Sequence, residues 1–376
     1  MSELTSTIEL ERPRESSTRE SSVERPRPLR IAQVAPLYES VPPKLYGGTE
    51  RVVSYLTEEL VRRGNQVTLF ASGDSTTAAK LHAGYPTSLR LSGLAQLAAN
   101  GLGMHMPMLS QVFEHAADFD IIHCHLDYWT FAFSNLTATP TITTLHGRLD
   151  LEELVPIFEQ FKDRPLISIS DAQRKPLPSM NWVSTIHHGV PRDHLQFNPK
   201  GGKYLAFLGR IAPEKRPDIA IRVARKAGIP LKIAAKVDEV DREYFKTIIE
   251  PLINEAPGVE FIGEINETQK SEFLGNALAL LFTIDWPEPF GLVMIEAMAC
   301  GTPVIARPCG SVPEVMRDGV TGFLASEFDD LVVAVKKVGN ISRQACREEY
   351  EHRFAVDVMA EKYERIYREL IAINRR

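Results

Sequence analysis

Glu288-Pro289-Phe290-Gly291-Leu292-Val293-Met294-Ile295-Glu296 runs directly into Ala297-Met298-Ala299-Cys300-Gly301-Thr302-Pro303-Val304-Ile305-Ala306. Two carboxylates, a glycine-opened helix over residues 292–300 and an apolar strand over 304–306 fall in one short supersecondary unit. Such a unit can present a helix N-terminus to an anion while holding a carboxylate near sugar hydroxyls.

The same alternation extends outward. Apolar runs at residues 29–35, 66–71, 120–124, 141–145 and 166–169 are separated by helix-length segments, including an amphipathic helix over 50–63 closed by Gly64. The pattern restarts with strands at 204–208, 231–235, 259–262, 279–283 and 304–306, and helices at 215–227, 241–250, 268–274 and 292–300. Strands alternating with helices imply right-handed βαβ units and a largely parallel sheet. The expected fold class is α/β, with two Rossmann-like doubly wound parallel-sheet domains facing across a cleft.

Residues 1–27, rich in Ser, Glu, Arg and Pro, lack the apolar surface to offset ordering entropy and are expected to be a disordered tail. A first domain at 28–190, a linker at 191–202 and a second domain at 203–354 follow. The stretch 355–376 is expected to be a C-terminal helix on the second domain, from Val358, Met359, Tyr363, Ile366, Tyr367, Leu370 and Ile371 at helical spacing.

The 376 residues are 44% hydrophobic, enough for two substantial cores. The formal charge of -6 argues against a nucleic-acid binder with a broad basic face, but is compatible with a local pocket for a phosphorylated small molecule. Four scattered cysteines without CxxC spacing fit a reducing compartment. With no apolar run long enough to span a bilayer and no apolar leader, a cytoplasmic location is expected.

Ligands in such folds sit beyond the carboxyl ends of the strands, so residues just after strands carry most weight. Gly209-Arg210-Ile211-Ala212-Pro213-Glu214-Lys215 follows the strand at 204–208. Arg210 offers a planar donor fork for phosphate oxygens, and Lys215 a point charge at the next helix start. The amides of Phe290, Gly291 and Leu292 are expected to face the cleft. Glu296 is placed to accept hydrogen bonds from a diol such as a ribose, and Glu288 to reach another part of the same ligand. Ser311 is expected to cap a further helix. In the first half, Gly47 and Gly48 precede a helix, a pairing that reads either as an anion-binding turn or as a plain helix start with Thr49 as its N-cap, and His146 ends the strand at 141–145.

His123, His125 and Asp127 have metal-like spacing, but no second cluster completes a site, and no metal is assigned. Asp118-Phe119-Asp120 reads as a turn, and His187-His188-Gly189 as the hinge. The uncharged run 91–112 reads first as core packing. A lining for an acceptor pocket, or a peripheral membrane contact, is the other reading of that run.

Taken together, these stretches resemble the retaining glycosyltransferases of family 4, which have the GT-B fold. The resemblance rests on Gly47-Gly48-Thr49-Glu50, His146-Gly147, His188-Gly189-Val190, Gly209-Arg210 with Glu214-Lys215, Phe261-Ile262-Gly263, Glu288 through Glu296, Pro313-Glu314-Val315, and Asp318 through Leu324. It implies a nucleotide-sugar donor, with a UDP-sugar favoured and GDP-mannose second, and an acceptor it does not name. Arg210 and Lys215 would bind the donor diphosphate, Glu296 the ribose and Glu288 the donor sugar. The Phe290–Leu292 backbone would touch sugar or phosphate, and Ile265 would lie near the base. Gly47 and Gly48 would border the phosphates and the acceptor, and His146 would face the reacting sugar. No cofactor is implied, and metal is usually dispensable where Arg and Lys neutralise the diphosphate.

Two departures stand out. Ala234-Ala235-Lys236-Val237-Asp238 replaces a glycine-rich loop, with Lys236 as a further phosphate contact, and Cys309-Gly310-Ser311 replaces a more usual glycine pair. The competing readings are a phosphorylase or sugar-nucleotide epimerase on the same fold, and a non-catalytic sugar-nucleotide-binding subunit.

Overall fold

The computed structural model describes residues 27–44, 47–90, 92 and 101–375. Apart from Arg27, the tail expected to be disordered lies outside these residues, as do residues 91 and 93–100 of the uncharged run.

Two wholly parallel sheets form the scaffold. The first comprises β1 (Arg30–Val34), β2 (Gln66–Ser72), β3 (Lys80–Tyr85), β4 (Ile121–Cys124), β5 (Thr141–Thr144), β6 (Leu166–Ser168) and β7 (Trp182–Thr185), in the order 3-2-1-4-5-6-7. The second comprises β8 (Tyr204–Arg210), β9 (Leu231–Lys236), β10 (Val259–Gly263), β11 (Ala277–Phe282), β12 (Val304–Ala306) and β13 (Gly322–Leu324), in the order 10-9-8-11-12-13. In each sheet the order reverses beside the first strand, between β1 and β4 and between β8 and β11. These are the switch points at which doubly wound sheets open a crevice.

Interior strands such as β1 and β4 are buried on both faces and read as apolar runs. The strands not anticipated from the sequence are β3, β7 and β13. All three are sheet edges, with one neighbour each and no continuously buried run. The helix expected over 50–63 is Gly48–Arg62, capped by Gly47 rather than Thr49, because Arg51 already donates its amide to the Gly47 carbonyl at 3.3 Å. Asp120, expected in a turn, accepts both the Arg30 amide and the Arg27 guanidinium at 2.9 Å or less.

The C-terminal helix corrects an expectation. Helix Val356–Asn374 packs on the first domain, not the second. Its Glu364 accepts from Arg63 at 2.7 Å, and its Tyr363 and Tyr367 hydroxyls reach Thr144 and His123 at 3.0 and 2.6 Å. The chain therefore crosses between domains twice, and the crossings lie side by side. Val190 donates to the Phe354 carbonyl and accepts from Val356, both at 2.9 Å. Apolar spacing announced the helix, and its apolar face packs against helix Gly48–Arg62, while its tyrosine hydroxyls also reach polar groups buried in the first sheet. Among the described residues, no helix is long and apolar enough to cross a membrane.

Two further contacts hold the domains. Glu314 of the second domain accepts the amides of Asp171 and Ala172 at 2.7 and 2.6 Å. Glu267, heading helix Glu267–Gly275, pairs with Arg51 of the first domain at 3.0 Å, His194 of the linker at 2.7 Å and Lys270 at 2.6 Å. Burial pushes the Glu267 carboxyl up, but His194, Lys270 and Arg51 outweigh it and hold the group below its ordinary value of 4.5. Within the second domain, Arg343 donates to the carbonyls of Asn198, Ala277, Gly275 and Cys300 and to the Thr302 hydroxyl.

Two outcomes follow from these contacts. Arg343→Ala strands several buried acceptors and should lower stability by about 3 kcal/mol in denaturant unfolding, with Arg343→Lys recovering little because an ammonium lacks the planar fork. The Glu267 pairs stabilise the fold fully above the ordinary carboxylate range and lose that contribution as pH falls below about 4.5. Melting temperature against pH should therefore be flatter for Glu267→Gln than for the parent below that value, and parallel curves would contradict the assignment.

Candidate functional site

The carboxyl edges of the two sheets face each other across a cleft of about 490 Å³. From the second domain it receives Arg210 at the end of β8, Lys215 beyond it, Lys236 at the end of β9, Ile265 after β10, and Glu288, Phe290, Gly291, Leu292 and Glu296 after β11. From the first it receives Gly47, Gly48 and His146. The residues that the resemblance assigned to the donor and to the reacting sugar thus line one space.

The opening motif is a strand-to-helix turn. Gly291 caps helix Leu292–Ala299 at φ 82, a conformation that side-chain-bearing residues rarely adopt. Among the described residues, no acceptor takes the amide hydrogens of Gly291, Leu292 or Val293, so the helix start keeps donors for a ligand. The turn is pinned from behind. Ser311 occupies the expected N-cap position, before helix Val312–Val315, but its side chain does not cap: its hydroxyl donates to the Phe290 carbonyl, and its amide to the Glu288 carbonyl, both at 2.9 Å. Gly310, at φ 59, lies so close that a Cβ there would meet the backbone of Pro287 and Glu288. The departure Cys309-Gly310-Ser311 therefore keeps a glycine where the backbones touch.

The charged residues are held by one another. Lys215 pairs with Glu288 and lies 4.6 Å from the centroid of the Trp286 ring, while the Trp286 indole donates to Glu288 at 2.9 Å. Lys215 does not start a helix. It ends the short turn Pro213–Lys215, and Arg216 at φ 52 separates it from helix Pro217–Ala227. Its charge is therefore aimed by Glu288 and Trp286 rather than by a helix. Arg210 donates to Glu214 at 2.6 Å and lies 3.7 Å from both Asp238 and Asp241. Lys236 pairs with Asp238 at 2.8 Å. Glu296, 3% exposed, accepts from Lys270 at 2.8 Å. Lys270 also holds Glu267, so the interdomain pair Arg51–Glu267 is linked to Glu296 through one ammonium.

On the opposite wall, burial pushes the His146 imidazole down to about 3, so the ring is neutral. Its Nε2 lies 2.9 Å from His125 Nδ1, and its Nδ1 is buried without a partner among the described residues. The ring stacks on His188 at 5.3 Å between centroids, and His188 meets the edge of Phe290 at 4.8 Å. His188, read from the sequence as part of the hinge, lines the cleft. Nearby, Glu39 pairs with Arg90 at 2.8 Å, and burial pushes Glu50 up to about 7. His123 and His125 use their ring nitrogens for hydrogen bonds to protein groups. Among the described residues no group of three or more His, Cys, Asp or Glu side chains is arranged to hold a metal ion.

Sequence reasoning missed Trp286, Glu267, Lys270, Arg51 and the cleft position of His188. Trp286 stands two residues before Glu288, and an aromatic beside a motif carboxylate was a usable signal. Glu267 and Lys270 look like an ordinary solvated i,i+3 helix pair, and nothing local announces their burial.

The model of the family described as "Glycosyl transferases group 1" matches residues 193–353, and that of "Glycosyltransferase Family 4" matches residues 46–183. The phosphatidyl-myo-inositol mannosyltransferase of Mycobacterium leprae is 24% identical over 380 residues, covering 90% of this chain and 96% of that protein. The D-inositol 3-phosphate glycosyltransferase of Mycobacterium marinum is 28% identical over 251 residues, 56% of this chain and only about half of that relative (53%). Among solved structures, the sucrose-phosphate synthase of Thermosynechococcus elongatus superposes with a TM-score of 0.71 at 19% identity, covering 92% of this chain and 100% of that one. HepE of Anabaena, solved with UDP and glucose, gives 0.70 at 18% identity, covering 91% and 100%. The fold is GT-B and the activity that of a glycosyltransferase. With both halves matched and the motifs gathered in one cleft, the chain belongs to the glycosyltransferases of family 4.

Proposed function

We propose that this glycosyltransferase takes its sugar from a nucleotide-sugar donor, a UDP-sugar in first place and GDP-mannose in second, and transfers it with retention of anomeric configuration to an acceptor hydroxyl. The observation that carries the reading is the meeting, in one cleft, of Arg210, Lys215 and the open amides at Leu292 with the buried carboxylates Glu288 and Glu296. Cations and a helix start suit a diphosphate, and carboxylates suit the hydroxyls on either side of it.

In this reading Arg210, Lys215 and Lys236 bind the diphosphate, and Glu296 the ribose, with Ile265 beside the base. Glu288 contacts the donor sugar, and so do the backbone of Phe290 and Gly291 and the ring of His146. Gly47 and Gly48 let the acceptor approach the diphosphate. The bond from the anomeric carbon to the phosphate oxygen breaks as the acceptor oxygen bonds to the same face. The departing diphosphate then takes the acceptor's proton. No protein nucleophile is required, and catalysis rests on positioning and charge stabilisation, each worth several kcal/mol. Lys215 has three donors, so it can serve a phosphate oxygen while remaining paired with Glu288. No metal is invoked, because the cations face the position assigned to the diphosphate.

The relative solved with UDP and glucose supports a UDP-sugar, and the relative named as a mannosyltransferase keeps a mannosyl donor as the competitor. Relatives named for inositol compounds support a polyol hydroxyl as acceptor.

A screen of nucleotide sugars, reading released nucleotide with and without polyol acceptors, tests the reading. Release that depends on inorganic phosphate, or epimerisation without acceptor, would replace it with the phosphorylase or epimerase. With the donor in hand, Lys215→Ala should lower turnover at least a hundredfold while leaving the melting temperature within a few degrees, and unchanged turnover would remove the diphosphate role. Glu296→Gln should weaken nucleotide binding about tenfold in calorimetry, since it loses a charged acceptor, and equal affinity would count against the ribose role.

A further inference from the structure

The first sheet carries a line of buried polar side chains that no apolar core requires. Gln33 on β1 and His123 on β4 are both wholly buried, and His125 follows β4 at 3% exposure. They connect in sequence. His146 Nε2 lies 2.9 Å from His125 Nδ1, and His125 Nε2 lies 2.8 Å from Gln33 Oε1. Gln33 Nε2 donates to the Tyr367 hydroxyl at 3.2 Å, and that hydroxyl lies 2.6 Å from His123 Nδ1. His123 Nε2 meets the Thr144 hydroxyl at 2.7 Å, which meets the Tyr363 hydroxyl at 3.0 Å. The chain thus runs from the cleft wall to the C-terminal helix, the element that returns from the second domain.

Hydrogen-bond polarity propagates along this line. A neutral imidazole has one donor and one acceptor nitrogen, and an amide oxygen only accepts. Gln33 Oε1 therefore requires the hydrogen on His125 Nε2, which leaves His125 Nδ1 as an acceptor. His146 must then donate from Nε2, and its Nδ1 is the bare acceptor, the same atom that is buried in the cleft wall without a partner. Turning the Gln33 amide over would reverse every step and make His146 Nδ1 a donor. Tyr367 prevents that. A phenol O–H is a stronger acid than an imidazole N–H, so the short 2.6 Å contact has Tyr367 donating to His123. Its oxygen then accepts from the Gln33 amide nitrogen, fixing the amide.

We propose that Gln33, His125 and Tyr367 are positioning residues that fix His146 as the Nε2–H tautomer, so that its Nδ1 accepts a hydrogen bond from a hydroxyl of the bound sugar, and that docking of the C-terminal helix sets this polarity. The inference rests on the transfer reading for the identity of the hydroxyl, and on the geometry alone for the tautomer. It ties a group on the cleft wall to the helix that closes the second interdomain crossing.

The test uses the full-length chain labelled with 15N-histidine. Long-range proton–nitrogen spectra report which ring nitrogen carries the hydrogen, and the His146 signals are assigned by their loss in His146→Asn. The expected parent spectrum shows His146 protonated on Nε2 alone. Tyr367→Phe should give mixed tautomers and lower kcat about tenfold, with the affinity for product nucleotide unchanged. Tyr363→Phe loses an equally buried hydroxyl from the same helix but leaves the Tyr367–Gln33 link intact, and should keep both tautomer and kcat. Gln33→Glu retains an acceptor-only oxygen toward His125 and should keep the tautomer, whereas Gln33→Met should lose it. A parent His146 protonated on Nδ1 would overturn the proposal. So would an unchanged tautomer in Tyr367→Phe, or equal kcat losses in the two tyrosine variants. If Tyr367→Phe does not fold, the parent spectrum and the Gln33 pair decide. A parent that turns over no nucleotide sugar would end the transfer reading, while the tautomer result would still stand or fall by itself.

Discussion

Everything in this molecule depends on two parallel sheets being held with their carboxyl edges face to face. The chain achieves this by crossing between domains twice at one place, with Val190 bonded to both Phe354 and Val356. Helix Val356–Asn374 then locks the return crossing onto the first domain through groups that water would otherwise solvate. A single linker would leave the domains free to rotate apart. Two adjacent crossings and a docked helix constrain that rotation.

Within that frame, charge is distributed by burial. The pair Arg365–Glu369 lies on the surface, its side chains 65% and 56% exposed, and such pairs contribute about 0–1 kcal/mol. The Lys270 and Glu296 side chains are 11% and 5% exposed, and removing one partner of a buried pair costs about 3–5 kcal/mol. The buried pairs are therefore the ones that set geometry. Lys215 with Glu288, Lys270 with Glu296, and Arg51 with Glu267 all lie on the cleft, and together they keep the ionic side chains in place before any ligand arrives. On the facing wall the histidines are neutral, so that wall supplies hydrogen-bond direction rather than charge.

The interior strands were legible because burial on both faces leaves an unbroken apolar run, and the site residues because parallel strands deliver their successors to one edge. Three of the four edge strands were not: Lys80–Tyr85, for one, contains a lysine, a histidine and a glycine, and is stabilised by one neighbour only. Arg210 was found, but its place within β8 was not, because pairing with Lys236 extends the strand past its apolar part. Tyr363 and Tyr367 were read as apolar faces of a helix, and their hydroxyls also bond polar groups of the first sheet. Polar contacts between residues more than 200 positions apart leave no periodicity to read.

The central claim is that one cleft, shared by two domains, grips a nucleotide-sugar through its diphosphate. A crystal structure with UDP and a non-transferable donor analogue tests it most directly. The account places the diphosphate oxygens on Arg210, Lys215 and the Leu292 amide, the ribose diol on Glu296, and a sugar hydroxyl on His146 Nδ1. A diphosphate bound away from Arg210 and Lys215, or a ribose turned from Glu296, would contradict it.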